Sequence, residues 1–181
     1  MPTHLDLPIA PPSADPGRAV RPAWFALYAL SLALWTGGAA LFTFLVTPVI
    51  FRSFSRDLAG EVVGKLFPLY FPCVLALSAA ALVTFLAATR DRAGAGARLS
   101  LALLVAALAV NSYVSLKLYP DAVAVKRLVS SFEREAPDSP ARRQFARLHG
   151  LSMALNLLVV ADGALLVLLL PAVGRSGAPR P

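Results

Sequence analysis

Four long apolar stretches constrain this 181-residue chain more than any motif does: 22–51, 66–89 and 99–116 carry no charged residue, and 150–174 carries only Asp162. A helix of 18 residues rising about 1.5 Å per residue spans roughly 27 Å, close to the ~30 Å hydrocarbon core of a bilayer. The stretches therefore predict an all-α fold, a polytopic membrane four-helix bundle with spans at about 23–48, 67–89, 98–119 and 147–171. They form one domain over 22–172. A disordered Pro-rich tail is expected over 1–21, which holds five of the fifteen prolines, and a second disordered tail over 173–181.

Composition excludes a water-soluble domain. Apolar residues make up 57% of the chain and charged residues 15%, against roughly 25% charged in ordinary soluble domains, and the mean hydropathy is +0.68. The formal charge of +7 does not indicate nucleic acid, because the basic residues flank the apolar segments, where they meet lipid phosphate. The lipid bilayer is the expected partner, with a homo-oligomer or another membrane protein beside it. The single cysteine, Cys73, lies inside the second stretch and reads as a small buried hydrophobe.

Between the spans, FRSFSRDLAGEVVGKLF after Pro48 places Phe51, Phe54, Leu58, Val62 and Leu66 at steps of three or four. That spacing predicts an interfacial amphipathic helix in the first loop, carrying a Gly60/Gly64 pair as a candidate for helix packing. Pro68 and Pro72 predict a kink or a helix start near Pro68, with Tyr70 as a headgroup-boundary anchor. A nine-residue hairpin, 90–98, makes the second and third spans antiparallel neighbours. Pro120 predicts the end of the third span, and 121–135 a second interfacial amphipathic helix in the third loop. Ser139-Pro140 is the signature of an N-cap followed by proline at the first helical position, so the last helix starts in water and ends near Pro171. The first and third loops hold ten basic residues, against seven in the two tails and the hairpin. They are expected to be cytoplasmic, in a multi-pass protein of a bacterial inner membrane.

Polar groups within the spans carry the functional information, since each costs free energy in hydrocarbon unless it is paired or faces a cavity. At 100° per residue, His149, Ser152, Asn156 and Gly163 share one face of the fourth span, and Ser100, Ala107, Asn111 and Ser115 one face of the third. Gly37 and Gly38 on the first span are candidates for close helix packing, with Thr36, Thr43 and Thr47 nearby. The simplest consequence is a bundle interior in which Asn111 and Asn156 bond to each other across helices. A polar cavity for a small solute or ion is the sharper alternative. Asp162 sits about 120° round the helix from Asn156 and is an isolated intramembrane carboxylate, a candidate for a proton or cation role. Asn111, His149, Ser152, Asn156 and Asp162 together form the candidate intramembrane polar site.

Other chemistry finds little support. His149 and Met153, with Cys73 on another span, form an N, S, S set of the kind that suits Cu(I), but no Met-rich or CxxC motif accompanies them. A bis-histidine haem is excluded, because the other histidine, His4, lies in the N-terminal tail. No GxSxG, HExxH, paired-acid or P-loop motif occurs. The reading is a non-enzyme without cofactor or metal.

The segments WTGGAALFTFLVTPVIF, GEVVGKLFPLYF, NSYVSLKLYPD and FARLHGLSMALNLLVV together resemble the four-helix family of unknown function that includes transmembrane protein 205. The resemblance covers about 35–160. It rests on Trp35, Gly37, Gly38, Phe42, Pro48 and Phe51, then Gly60, Gly64, Phe67 and Tyr70, then Asn111 and Pro120, and finally His149, Ser152 and Asn156. The family looks distantly like copper-resistance protein D domains, and its eukaryotic member is associated with tolerance of platinum drugs. The resemblance implies a membrane protein linked to metal or drug tolerance, and it supplies no mechanism.

Overall fold

The four apolar stretches become four long rods. A computed structural model describes residues 16–90 and 94–175. The helices are α1 (Pro16–Leu41), α2 (Thr47–Ser53), α3 (Arg56–Ala88), α4 (Ala95–Tyr113), α5 (Tyr119–Lys126) and α6 (Pro140–Arg175). Single π-helical turns, Phe42–Val46 and Val114–Leu118, weld α1 to α2 and α4 to α5. No strand occurs among the described residues. Among the described residues, four helical stretches, Arg21–Ser53, Arg56–Ala88, Ala95–Lys126 and Pro140–Gly174, are long and apolar enough to cross a membrane. At 1.5 Å per residue these 32 to 35 residues reach roughly 50 Å, well beyond the hydrocarbon core.

That excess length accounts for the differences from the sequence reading. The first-loop segment 56–66 is no separate interfacial helix but the first turns of α3. The chain breaks instead at Phe54, which is extended, and Ser55 caps α3 by accepting from Leu58 N at 3.5 Å. Pro68 and Pro72 lie inside α3 and Pro171 inside α6. In hydrocarbon a broken helix would leave further backbone groups without water, so the proline costs less than the break. Pro120 does not end the third span either. Tyr119 N–H reaches back to Val114 O, as Thr47 N–H does to Phe42 O, and this five-residue register sits directly ahead of each proline, Pro48 and Pro120. The helical part of the third loop stops at Lys126, and 127–139 is a series of turns. α1 begins at Pro16, inside the stretch read as a tail, and α6 runs to Arg175; 1–15 and 176–181 lie outside the described residues.

Buried positions recur every three and four residues on three helices, Tyr28, Leu32, Trp35 and Ala39 on α1, Val74, Ser78, Ala81, Phe85 and Ala88 on α3, and Ala97, Ser100, Leu104, Ala107 and Asn111 on α4, and every seven at Val159, Leu166 and Val173 on α6. A mean step of 3.5 is the repeat of a left-handed bundle, in which neighbouring helices cross at about 20°. Leucines off this seam, such as Leu34, Leu69, Leu116 and Leu168, are exposed, as a lipid-facing surface requires. α3 and α4 pack as the antiparallel neighbours expected from the short hairpin. Ser139 caps α6 through Arg142 N at 3.3 Å, with Pro140 as its first residue, as the sequence indicated.

The third loop is fastened to α3. Asp57 accepts from Phe132 N at 2.6 Å and from Ser131 Oγ at 2.5 Å, and Arg56 N donates to Glu133 at 2.9 Å. Glu135 accepts from Ser139 Oγ at 2.6 Å and from Ser130 N at 3.0 Å. These bonds hold its carboxyl below the ordinary value of 4.5. Lys126 Nζ donates to Gly60 O at 2.5 Å. The Gly60/Gly64 pair therefore seats a lysine of its own chain: Cβ atoms added there would lie 3.6 and 3.3 Å from the ammonium.

Candidate functional site

Asn156 joins three helical rods. Its Nδ2 donates to Thr43 Oγ1 at 2.7 Å, in the π-helical turn after α1, and its Oδ1 accepts from Tyr70 Oη at 3.0 Å, on α3. The amide thus uses both ends on different neighbours, with Phe42 stacked on Tyr70 at 4.4 Å and 22°. Around them lies an aromatic cluster in which Phe67 meets Phe71 at 5.1 Å and Tyr119 packs on Phe71 at 4.8 Å. Ser115, in the second π-helical turn, donates to Phe71 O at 3.4 Å.

The expected bond between Asn111 and Asn156 is not formed. Asn111 is buried on the α4 seam and its Nδ2 has no partner, while Asn156 is occupied by α1 and α3. Tyr70, read as a headgroup anchor, is half-buried and serves as a hydrogen-bond partner instead. Ser152 lies half-buried on the same side of α6 as Asn156. His149 does not join them. It is exposed, its ring stacked on Phe145 at 5.6 Å and 8°, because the i and i+4 positions of a helix share a face. Phe145 in turn packs on Phe132 of the third loop at 5.0 Å, with Arg142 over the Phe132 ring at 5.9 Å. Met153 and Cys73 are exposed on the outer surface, and no cluster of three His, Cys, Asp or Glu side chains suited to a metal occurs among the described residues.

The glycines divide in an unexpected way. Cβ atoms added to Gly37 or Gly38 would meet nothing within 4 Å, so these residues face away from the bundle rather than into a helix contact. The close approach lies at Gly163, where an added Cβ would collide with Thr36 Oγ1 and lie 3.1 Å from its Cγ2. Beside it, Asp162 is half-buried with Oδ2 unpartnered.

A family model described as a domain of unknown function, DUF4149, matches residues 30–131, more than half of the chain. The chain belongs to this family. The matched residues of this DUF4149 protein include Thr43, Tyr70 and Asn111 together with both π-helical turns. No curated protein and no solved structure matches it.

Proposed function

We propose that this DUF4149 protein is a non-enzymatic integral membrane protein that acts through its helix packing and through partners in the bilayer. The Thr43–Asn156–Tyr70 trio carries this reading, because both ends of the only amide on α6 that lies within the bilayer are spent on tying α6 to two other helices. Its partners are lipid and either a second copy or another membrane protein, which the outward face at Gly37 and Gly38 would admit; nucleic acid is not among them. The ten basic residues of the first and third loops favour a cytoplasmic position for both, in a bacterial inner membrane. The resemblance to the family that includes transmembrane protein 205 supports a link to metal or drug tolerance.

A second reading, a small transporter or tolerance component with an intramembrane polar site, is favoured by the buried polar atoms that have no partner. Thermal unfolding of detergent-purified wild type and Asn156→Leu, each with copper, zinc and a panel of small solutes, separates the two. The packing reading expects a destabilised variant and no ligand-dependent rise, because a ligand that binds only the native state raises its melting temperature by mass action. A saturable rise with Cu(I), lost in both His149→Ala and Met153→Leu, overturns it.

A further inference from the structure

Among the described residues, six side-chain atoms inside the bundle have no hydrogen-bond partner: Tyr28 Oη, Trp35 Nε1, Thr36 Oγ1, Ser100 Oγ, Asn111 Nδ2 and Asp162 Oδ2. Tyr28, Trp35, Ser100 and Asn111 occupy seam positions and are more than nine-tenths buried, where orphaned polar groups are rare. Helix contacts fix their order along the bundle. Tyr28 packs on Phe85 at 5.2 Å, Gly96 lies against Ala172, Thr36 lies against Gly163, and Phe42 stacks on Tyr70. Tyr28 and Ser100 therefore lie toward the hairpin end, Trp35, Thr36 and Asp162 at mid-height, and Asn111 farther on toward the Thr43–Asn156–Tyr70 trio. The fifteen steps from Tyr28 to Thr43 rise about 22 Å, most of the roughly 30 Å hydrocarbon core. Beyond Tyr28 a cleft of about 640 Å³ opens at the hairpin end, lined by Trp24, Phe85, Thr89, Arg90, Ala97 and Arg98. Phe85 belongs to both, forming a wall of the cleft and packing on the Tyr28 ring.

The donor set defines the guest. Trp35 Nε1 and Asn111 Nδ2 can only donate, a carboxylate can only accept, and the three hydroxyls do both. A metal cation leaves the two N–H donors unsatisfied, and an anion meets the Asp162 carboxylate. Water satisfies every member, accepting from the N–H groups and donating to the carboxylate. We propose that the bundle interior is a hydrated proton path running from the hairpin cleft past Tyr28 and Ser100 to Asp162 and on past Asn111. Asp162 takes one proton from a hydronium, leaving water and a neutral carboxyl, and returns it to a water on its other side, which restores the carboxylate. No redox partner or cofactor enters the step.

Few other titratable groups face Asp162. α1 contributes Tyr28, within Coulombic range. α3 has no Asp, Glu, Lys, Arg or His between 66 and 89; its Tyr70 is bonded to Asn156 and its Cys73 is exposed. α4 offers only Tyr113 between 99 and 116, exposed. On α6 itself, His149 is thirteen residues away and exposed.

This goes beyond the packing reading and stands on different atoms, so either can fail alone. The test is the full chain in liposomes with a trapped pH dye, driven by a potassium diffusion potential with valinomycin. Proton uptake is expected above the rate of protein-free vesicles, falling to that rate in Asp162→Asn and retained in Asp162→Glu. Wild-type uptake no faster than protein-free vesicles, or an Asp162→Asn rate equal to wild type, overturns the proposal. Should Asp162→Asn not fold, Ser100→Ala decides at the other end of the path: slower uptake supports the path and an unchanged rate overturns it.

Discussion

Replacing Asn156 with leucine removes two interhelical hydrogen bonds and leaves Tyr70 Oη and Thr43 Oγ1 without the partner each has in the bundle. Interhelical bonds in bilayers are worth about 0.6 kcal/mol on average and up to about 1.7 kcal/mol. The loss for two is therefore about 1 to 3 kcal/mol. The lower bound applies where the freed Tyr70 hydroxyl finds water, and leucine's extra apolar contact pulls the same way. Reversible unfolding in mixed detergent micelles measures it, with Tyr70→Phe and Thr43→Val as half-steps expected to cost about 0.6 to 1.7 kcal/mol each. The double variant Tyr70→Phe/Asn156→Leu should lose clearly less than the sum of its singles, since both delete the same bond. A loss under about 0.3 kcal/mol in Asn156→Leu, or full additivity with Tyr70→Phe, would refute the clamp.

Gly163→Ala should destabilise by about 1 to 3 kcal/mol through overpacking against Thr36 and recover in part in Gly163→Ala/Thr36→Ala, whereas Gly37→Ala, which meets open space, should be neutral or gain up to about 1 kcal/mol of helix propensity; unfolding curves distinguish them. The Glu135 carboxyl, held below 4.5 by its bonds to Ser139 and Ser130, contributes stability that is present above its unfolded value and lost as pH falls through its lowered folded value. Proteolysis of the third loop should therefore quicken below about pH 4.5 in wild type, and Glu135→Gln should weaken that pH dependence, leaving the part carried by Asp57, whose carboxyl is likewise held below its ordinary value by Ser131 and Phe132. In a Cys73→Ser background, single cysteines at Ser53 and Asp138 should be shielded from an impermeant reagent in intact cells while one at Ala95 reacts; the reverse pattern would invert the orientation.

The spans were legible because a long apolar run carrying at most one charge admits few other folds, and the start of α6 because Ser139-Pro140 combines a side-chain cap with a residue that needs no N–H partner. Helix ends were not legible. Pro68 read as a kink or a start, and Pro120 and Pro171 as ends, by the rules of water, where a helix can break and solvate its carbonyls; in a bilayer the same residues are carried through. The face of Asn156 followed from 100° per residue, yet its partners did not. Tyr70 and Thr43 are 86 and 113 residues away, and the relative height of two helices is set by packing that periodicity does not encode. Gly37 and Gly38 illustrate the same gap, since small residues permit close approach on any face, and it is Gly163 that the register places against Thr36. His149 fell outside the interior because Phe145, one turn earlier, offered its ring a surface stack.

Both π-helical turns lie around a level where polar side chains cross between helices. The first contains Thr43, which bonds Asn156, and the second contains Ser115, which reaches Phe71 O. Adding one residue to a turn rotates everything beyond it by about 100° relative to a regular helix. The insertions ahead of Thr47-Pro48 and Tyr119-Pro120 therefore change which faces of α2 and α5 follow the α1 and α4 seams. The proline explains why a widened turn is tolerated there, since it has no N–H to place. It does not explain why the turn carries a hydroxyl in each case. Thr43 and Ser115 lie at the same level as Tyr70 and Phe71, so the widened turns and the α3 aromatics form one layer. That layer, rather than any single residue, fixes the height of α1, α4 and α6 relative to α3, and with it the alignment of the unpartnered polar atoms toward the hairpin end.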